Sequence, residues 1–207
     1  NALPYDAVLF VGQKTTLSLV TTGGKDGAWQ YDWSIGGNAD SCEFLATQAG
    51  DYTVTVTVKN LLGNDDTQYD YSTTLTYTIK VWPACEVIPN QAAISYRYSG
   101  QSITYNPIVS GGDASKWSYS WKVDGNIVGS DASYTYTVPS HIGAAVKTSE
   151  IKVDFTNTPE NIQSAYANSL TYALYCYDYP TVNALPYDAV LFVGQKTTLS
   201  LVTTGGK

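Results

Sequence analysis

The sequence GDYTVTVTVKN, residues 50–60, predicts a β-strand more clearly than any other part of the chain. Tyr52, Val54, Val56 and Val58 alternate with threonines, and a period of two places successive side chains on opposite faces of a strand. One face is therefore apolar and the other polar, as in a sheet that covers a core on one side. The same alternation occurs in two further stretches, at Trp29, Tyr31, Trp33 and Ile35 and at Leu75, Tyr77, Ile79 and Val81.

A diverged second copy of this pattern follows in the chain. Both copies contain a Gly-Gln pair, a Gly-Gly pair and an aromatic strand with two tryptophans. These are residues 12–13, 23–24 and 29–33 in the first copy and residues 100–101, 111–112 and 117–121 in the second. The two prolines of WPACEVIP, residues 82–89, interrupt the strand pattern between the copies. We therefore predict two β-sandwich domains, residues 1–85 and 86–182, with Trp33 and Trp121 in their cores.

Residues 183–207 repeat residues 1–25 without a difference, so the sequence has a period of 182 residues. Exact repetition of this length is typical of a tandem array. The repeated segment contains two strand patterns, and two strands need the rest of a domain to be stable. Either the segment begins the next unit of a continuous chain, or it completes a domain of a neighbouring subunit by strand exchange. Both arrangements predict an elongated assembly that repeats every two domains, on the order of 60–90 Å.

The composition argues against several classes of partner. Charged residues make up 14% of the chain and the net charge is −7, without a basic patch for nucleic acid or an anionic membrane. The apolar runs are shorter than the roughly 20 residues of a membrane helix, so we expect no membrane insertion in this segment. Any export signal or anchor is expected outside residues 1–207.

No residue pattern points to catalysis. His141 is the only histidine, so a Ser-His-Asp triad would need it, yet it follows Pro139-Ser140 without a nucleophile motif. A glycosidase needs only two facing carboxylates, and no pair stands out among the 18 acidic residues. We therefore expect no enzyme activity.

One loop offers ligands for a metal ion. Residues 63–70 contain Asp65, Asp66 and Asp70, whose carboxylates are the kind of ligand that calcium prefers, although their spacing is not that of an EF-hand. The alternative is a solvated hairpin turn. Apart from calcium at this loop, we expect no cofactor.

Cysteine and tyrosine usage gives two further expectations. Cys42 and Cys176 fall in register with apolar positions and are predicted to be buried and unpaired, whereas the state of Cys85 is left open. The 18 tyrosines are an excess. An aromatic face on the last strand of the second copy, opposite its core face, can stack on sugar rings or pack against another domain. Alternatively it covers the junction of the two domains. The candidate residues are Tyr175, Tyr177 and Tyr179, with Trp82 at the corresponding place in the first copy.

Residues 12–60 resemble the PKD-type immunoglobulin-like repeat of bacterial surface proteins. The resemblance is carried by Gly23-Gly24, by the strand that leads through Tyr31 and Trp33 to Gly36-Gly37, and by residues 49–60. Asn38 follows Gly36-Gly37 where the family has Gly-Asp-Gly, and the second copy departs through an insertion around residues 139–145. The resemblance implies an all-β chain of tandem immunoglobulin-like sandwiches.

Members of this family are mostly stalks, spacers and adhesive repeats, including those of long Bacteroidota adhesins, and some accompany secreted hydrolases. The resemblance therefore implies a non-catalytic structural or adhesive repeat of a stalk or filament, located outside the cell at a bacterial surface. Its partners would be neighbouring repeats, copies of itself, or a host or substratum surface. The alternative is a glycan-binding accessory module that uses the exposed aromatics.

Overall fold

The computed structural model of the protein describes residues 5–63, 70–140, 146–184, 193–198 and 200–204. All regular structure in these residues is β-strand, which confirms the predicted fold class of tandem immunoglobulin-like β-sandwiches. None of them forms a helix that could cross a membrane. His141, Asp65, Asp66 and the strand pattern at 189–192 lie outside the described residues.

The chain divides into two compact units. Unit 1 consists of Asn1–Val87, Val109–Trp117 and Thr156–Ala167, and unit 2 of Ile88–Ile108, Ser118–Phe155 and Asn168–Lys207. The division into residues 1–85, 86–182 and 183–207 stays a prediction.

The first copy has six strands in two sheets. A four-stranded sheet has the order β1-β6-β5-β3, and β2 pairs with β4 in the second sheet. The β1–β6 pairing is parallel, and the other pairings are antiparallel. The strands are β1 (Ala7–Phe10), β2 (Lys14–Ser18), β3 (Trp29–Trp33), β4 (Ser41–Leu45), β5 (Gly50–Asn60) and β6 (Tyr71–Trp82).

The core of the first copy follows the alternation of β5. Val54, Val56 and Val58 are buried, as is Trp33, which is only 2% exposed and donates its Nε1–H to the Ala39 carbonyl at 2.9 Å. Full burial of one valine side chain contributes roughly 1.5–3 kcal/mol, so this strand supplies much of the driving force for folding.

Two residues of the predicted apolar faces are exposed instead. Ile35 follows the end of β3, because Trp33 enters a turn in which its carbonyl accepts a hydrogen bond from the Gly36 amide at 2.9 Å. Leu75 lines an open cleft of about 490 Å³ rather than the closed part of the core. The alternation gave the correct face of each strand but not the limits of the core.

The second copy repeats the arrangement with additional strands. Its main sheet has the order β12-β11-β14-β15-β8, β13 pairs with β9, and β10 pairs with β7. Strands β8, β9, β11, β13, β14 and β15 therefore correspond to β1–β6. The strands are β7 (Glu86–Ile88), β8 (Ile94–Tyr98), β9 (Ser102–Tyr105), β10 (Ile108–Ser110), β11 (Trp117–Val123), β12 (Asn126–Gly129), β13 (Tyr134–Thr137), β14 (Lys147–Asn157) and β15 (Tyr166–Tyr177).

The Gly-Gln pairs make the same turn in both copies. Gly12 and Gly100 have φ of 91° and 77°, a region that glycine enters without steric cost. The side-chain oxygen of Gln13 accepts a hydrogen bond from the Phe10 amide at 2.8 Å, and Gln101 accepts one from Tyr98 at 2.9 Å. This turn carries the chain from the larger sheet to the smaller one.

A buried asparagine ties the Gly-Gly loop to the end of the longest strand in each copy. Asn60, the last residue of β5, accepts from the Lys25 amide at 2.9 Å and donates to the Lys25 carbonyl at 3.1 Å. Asn157, the last residue of β14, makes the same pair of bonds with Asp113, at 3.1 and 2.8 Å. These shared contacts support the internal repeat inferred from the sequence.

Residues 201–204 differ in structure from residues 19–22, whose sequence they repeat. Two strands, β16 (Thr181–Ala184) and β17 (Leu201–Thr204), pair as an antiparallel hairpin. Leu201 corresponds to Leu19, which lies outside any strand, so the same sequence adopts two conformations. In the first copy β2 is fixed by β4, which the duplicated segment does not contain. The tertiary context therefore determines which of the two conformations this sequence adopts.

Candidate functional site

The parallel pairing of β8 with β15 brings tyrosines from both strands together. Tyr96 faces Tyr175 and Tyr98 faces Tyr177 in this register. Since Leu174 is buried in the core, the alternation places the tyrosines on the outer face of the sheet. We call the group formed by Tyr96, Tyr98, Tyr175, Tyr177 and Tyr179 the tyrosine surface.

The rings of the tyrosine surface pack against each other. Tyr96 stacks on Tyr175 with centroids 5.4 Å apart, Tyr98 stacks on Tyr179 at 5.2 Å, and Tyr98 meets Tyr177 edge to face at 6.5 Å. Tyr96 and Tyr179 are the most open, at 50% and 52% exposed. The amide of Gln101 donates to the Tyr179 hydroxyl at 3.3 Å, which fixes one end of the row.

This packing limits the ring area that the tyrosine surface presents. A ring that stacks on a neighbour has one of its two faces covered, so each stacked pair offers fewer ring faces than isolated tyrosines would. The remaining faces and the hydroxyls combine apolar area with hydrogen-bonding groups, which suits a ligand that is flat on one side and polar at its rim. The surface therefore presents apolar ring area edged by hydroxyl groups.

An ion pair occupies the same outer face beyond the tyrosine surface. Lys122 of β11 donates to Asp154 of β14 at 2.7 Å, and Lys152 lies 3.2 Å from the same carboxylate. The hydrogen bond from Lys122 holds the pKa of Asp154 below its usual value, against the opposing effect of burial. The carboxylate is thus neutralised by its neighbours.

The sequence identified three of the five tyrosines and missed two. Tyr175, Tyr177 and Tyr179 follow from the alternation in the last strand. Tyr96 and Tyr98 reach the surface only because β8 pairs with a strand far away in the sequence, which local patterns do not predict. The only signal in the sequence is the spacing of two between them, which matches that of Tyr175 and Tyr177.

Trp82 has a separate environment in unit 1. Phe10 faces it across the β1–β6 pair, and the Lys80 ammonium lies 5.1 Å from its ring centroid. Lys80 also forms an ion pair with Asp51 at 2.7 Å, and this hydrogen bond is the main cause of a raised pKa at Lys80. One side of the Trp82 ring is thus engaged by a cation.

The predicted calcium site falls largely outside the described residues. Asp70 is described, and its side chain accepts a hydrogen bond from the Leu62 amide at 2.9 Å, as expected for a hairpin turn. Asp65 and Asp66 are not described. Within the described part of the chain, no three His, Cys, Asp or Glu side chains gather where they could hold a metal ion. Calcium at this loop stays a prediction.

The three cysteines are all free. Cys176 is buried as predicted, but the prediction for Cys42 was wrong in part, because this residue is only half-buried. Its thiol donates to the Gly36 carbonyl at 3.0 Å, beside two glycines that have no side chains to cover it. Burial raises the pKa of Cys85 to about 11 and also raises the pKa of Cys176.

We expect thiol alkylation of the folded protein at pH 8 to begin at Cys42. Cys176 should react only on unfolding, because it is buried and its thiolate is disfavoured. Peptide mass spectrometry over a time course measures the three rates. In urea-unfolded protein, the control, all three should react at similar rates. Modification of folded Cys176 as fast as Cys42 would contradict its burial.

Comparisons with known proteins add no family. No family model matches the sequence, and no curated protein matches it. Among similar solved structures are the fibronectin(III)-like modules of Clostridium thermocellum CbhA, with 12% identity, a TM-score of 0.37, and coverage of 86% of this chain and 93% of that one. The three N-terminal domains of the highly immunogenic outer capsid protein of bacteriophage RB49 are similar at 16% identity and a TM-score of 0.45, covering 96% and 66%. Sidekick-1 immunoglobulin domains 1–4 match with 16% identity and a TM-score of 0.40, and the match covers 96% of this chain and 56% of that one. Likenesses this distant say nothing about function.

Proposed function

We propose that the chain is a non-catalytic structural repeat of an extracellular stalk or filament at a bacterial cell surface. The observation that carries the proposal is the recurrence of residues 1–25, letter for letter, at 183–207. In an array of modules with a fixed period, function depends on the number of copies, because the reach of the array grows with every added unit.

Two further observations support the proposal. The two copies within one period share strand order, the Gly-Gln turn and the asparagine tie, so the period is itself a doubled sandwich. The resemblance of residues 12–60 to repeats of bacterial surface proteins agrees with an extracellular location. The low charge and the absence of a basic patch agree with a role outside nucleic-acid or membrane binding.

Electron microscopy of the native material tests this function. We expect thin fibres or stalks with a repeat on the order of 60–90 Å, if each sandwich contributes one strand length and a linker. The material should lack hydrolase activity on polysaccharides and peptides. Compact particles of uniform size would contradict the proposal.

A second function, glycan binding, is favoured by the tyrosine surface. Its open rings, Tyr96 and Tyr179, combine exposed aromatic area with hydroxyls, the chemistry on which sugar rings stack. The glycans would belong to a host or substratum surface, and the partner would be bound through the outer face of the β8–β15 pair.

We expect a Tyr96→Ala/Tyr179→Ala variant to lose at least 10-fold in affinity for a glycan that the wild type binds on an array, because stacking on two rings is removed. The Tyr175→Ala/Tyr177→Ala variant tests the inner rings in the same way. Tyr71→Ala is the matched control, since Tyr71 is 53% exposed and belongs to unit 1. Equal loss in the control, or no glycan bound by the wild type, would remove this function.

A further inference from the structure

Arg97, the only arginine of the chain, lies on β8, the end strand of the main sheet of the second copy. It faces Cys176 in the pairing with β15, and Cys176 is buried in the core. The Arg97 side chain therefore leaves the strand on the inner face, whereas the tyrosines before and after it, Tyr96 and Tyr98, lie on the outer face. Since β8 ends the sheet, a long side chain can turn around its outer edge.

Backbone hydrogen bonds place the guanidinium at this outer edge. The Ala93 carbonyl and the Ser99 amide bond to β15, so the odd-numbered positions along β8 direct their backbone groups toward that strand. The even-numbered positions direct theirs away from it, because the backbone groups alternate along a parallel strand. There the guanidinium donates to the Tyr96 carbonyl at 2.7 Å, and the Gln101 side chain accepts from the Tyr98 amide at 2.9 Å. The positive charge thus lies at the edge of the strand that carries these two tyrosines.

Among the described residues, no carboxylate forms an ion pair with Arg97. The ion pairs described in the chain are all formed by lysines. A guanidinium has five N–H donors, and the described structure uses one of them. Its planar donors match a carboxylate in two parallel hydrogen bonds, a geometry that the ammonium of lysine does not offer. Arg97 is therefore suited to bind an acidic ligand.

A depression connects this charge to the tyrosine surface. Arg97, Gln101 and Ser102 line an open depression of about 390 Å³. The Gln101 amide also donates to the Tyr179 hydroxyl at 3.3 Å, so the depression and the tyrosine surface share a residue. A ligand with an acidic group in the depression can place an apolar face on an exposed ring of the tyrosine surface.

We propose that Arg97 and the tyrosine surface together bind carboxylated sugars, with the carboxylate on the guanidinium and the sugar ring on an exposed tyrosine. This inference rests on the second proposed function, glycan binding, and deepens it by naming the class of sugar. Uronic acids and sialic acids share the required chemistry, because both carry a carboxylate attached directly to the sugar ring.

The charge of the whole chain limits how far this attraction extends. The net charge of −7 repels an acidic ligand, but interactions between exposed charges are largely screened beyond about 8 Å at physiological ionic strength. The guanidinium therefore acts on a carboxylate at contact. We expect about 1 M salt to weaken binding of the acidic sugar while affecting its neutral counterpart much less.

Titration of the full chain followed by NMR tests the proposal with two matched pairs of probes. Tetragalacturonate and its methyl ester test uronic acids, and 3′-sialyllactose and lactose test sialic acids. We expect the wild type to bind the acidic member of at least one pair about 10-fold more tightly than the neutral member, because only the acid can accept both hydrogen bonds. Arg97→Gln should abolish this preference and leave the affinity for the neutral member unchanged.

Three further variants separate carboxylate recognition from charge and from stacking. Arg97→Lys keeps the charge but not the planar donors, so it should retain only part of the preference. Lys59→Gln removes the same charge from an exposed residue of unit 1 and should keep all of it. Tyr96→Ala/Tyr179→Ala should weaken binding of both members of a pair by the same factor, because the ring of each sugar loses its contact.

The results distinguish this inference from glycan binding in general. Equal affinity of the wild type for acidic and neutral sugars would leave glycan binding in place and overturn the role of Arg97, as would a preference that persists in Arg97→Gln. Tetra-aspartate that binds as tightly as the acidic sugar would overturn the assignment to sugars, because charge alone would then suffice. Binding of none of the probes would overturn the inference.

Discussion

Trp121→Ala should lower the free energy of unfolding by about 3–5 kcal/mol, a size typical of replacing a fully buried tryptophan by alanine. Trp121 has no exposed surface, and its ring lies 5.7 Å from that of Tyr134 and 6.2 Å from that of Tyr105. Its Nε1–H donates to the Asp131 carbonyl at 2.8 Å, so the substitution also removes the partner of a backbone group. Urea unfolding followed by circular dichroism measures the change.

Two further variants test whether the loss of stability comes from the burial of Trp121. Ile127→Ala removes a side chain that is 73% exposed on the neighbouring β12 and should change stability by less than about 0.5 kcal/mol. Trp33→Ala makes the corresponding change in the first copy and should produce a loss of similar size. A loss below about 1 kcal/mol in Trp121→Ala would contradict its place at the centre of the core.

The sequence predicts those features of the structure that local sequence determines. The faces of β5 and β14 follow from a period of two, because each alternate residue must point to the same side. Trp33 and Trp121 follow because they lie on such faces. Neither prediction requires knowledge of which strands are neighbours.

Features that depend on distant partners were not predicted. Tyr105 and Tyr172 meet in the core with ring centroids 4.7 Å apart, and burial raises the pKa of Tyr105 to about 12. Tyr105 ends a four-residue strand whose burial alternates, and its ring is covered because β9 lies under the larger sheet, which provides Trp121 and Tyr172. Tyr96 and Tyr98 join the tyrosine surface for a similar reason, through pairing of β8 with a strand about 80 residues away.

The duplicated segment shows most directly that local sequence alone does not determine the structure. Residues 19–22 and 201–204 have the same sequence, yet only the second forms a strand. Local propensity is identical in the two places, so only the available partners can differ.

Asn157→Ala should cost about 1–3 kcal/mol, because it leaves the Asp113 amide without its partner, while the Asp113 carbonyl keeps the hydrogen bond from the Lys116 amide. The asparagine side chain accepts from the Asp113 amide at 3.1 Å and donates to the Asp113 carbonyl at 2.8 Å, and it is fully buried. Urea unfolding at pH 7, followed by circular dichroism, measures the loss.

Asn157→Asp separates hydrogen bonding from packing. It keeps the acceptor for the Asp113 amide but turns an oxygen toward the Asp113 carbonyl and places a charge in a buried site. Burial raises the folded-state pKa of such a carboxyl above its unfolded value near 3.9, so the destabilisation is greatest at neutral pH and falls as the pH drops through the folded pKa. Asn157→Ala introduces no titratable group, so its loss of stability should stay nearly constant over the same pH range.

Asn60→Ala, which breaks the same pair of bonds to Lys25, should match Asn157→Ala, while the exposed Asn126→Ala should have almost no effect. Equal stability of Asn157→Ala and Asn126→Ala would show that the tie between the loop and β14 does not contribute to the fold.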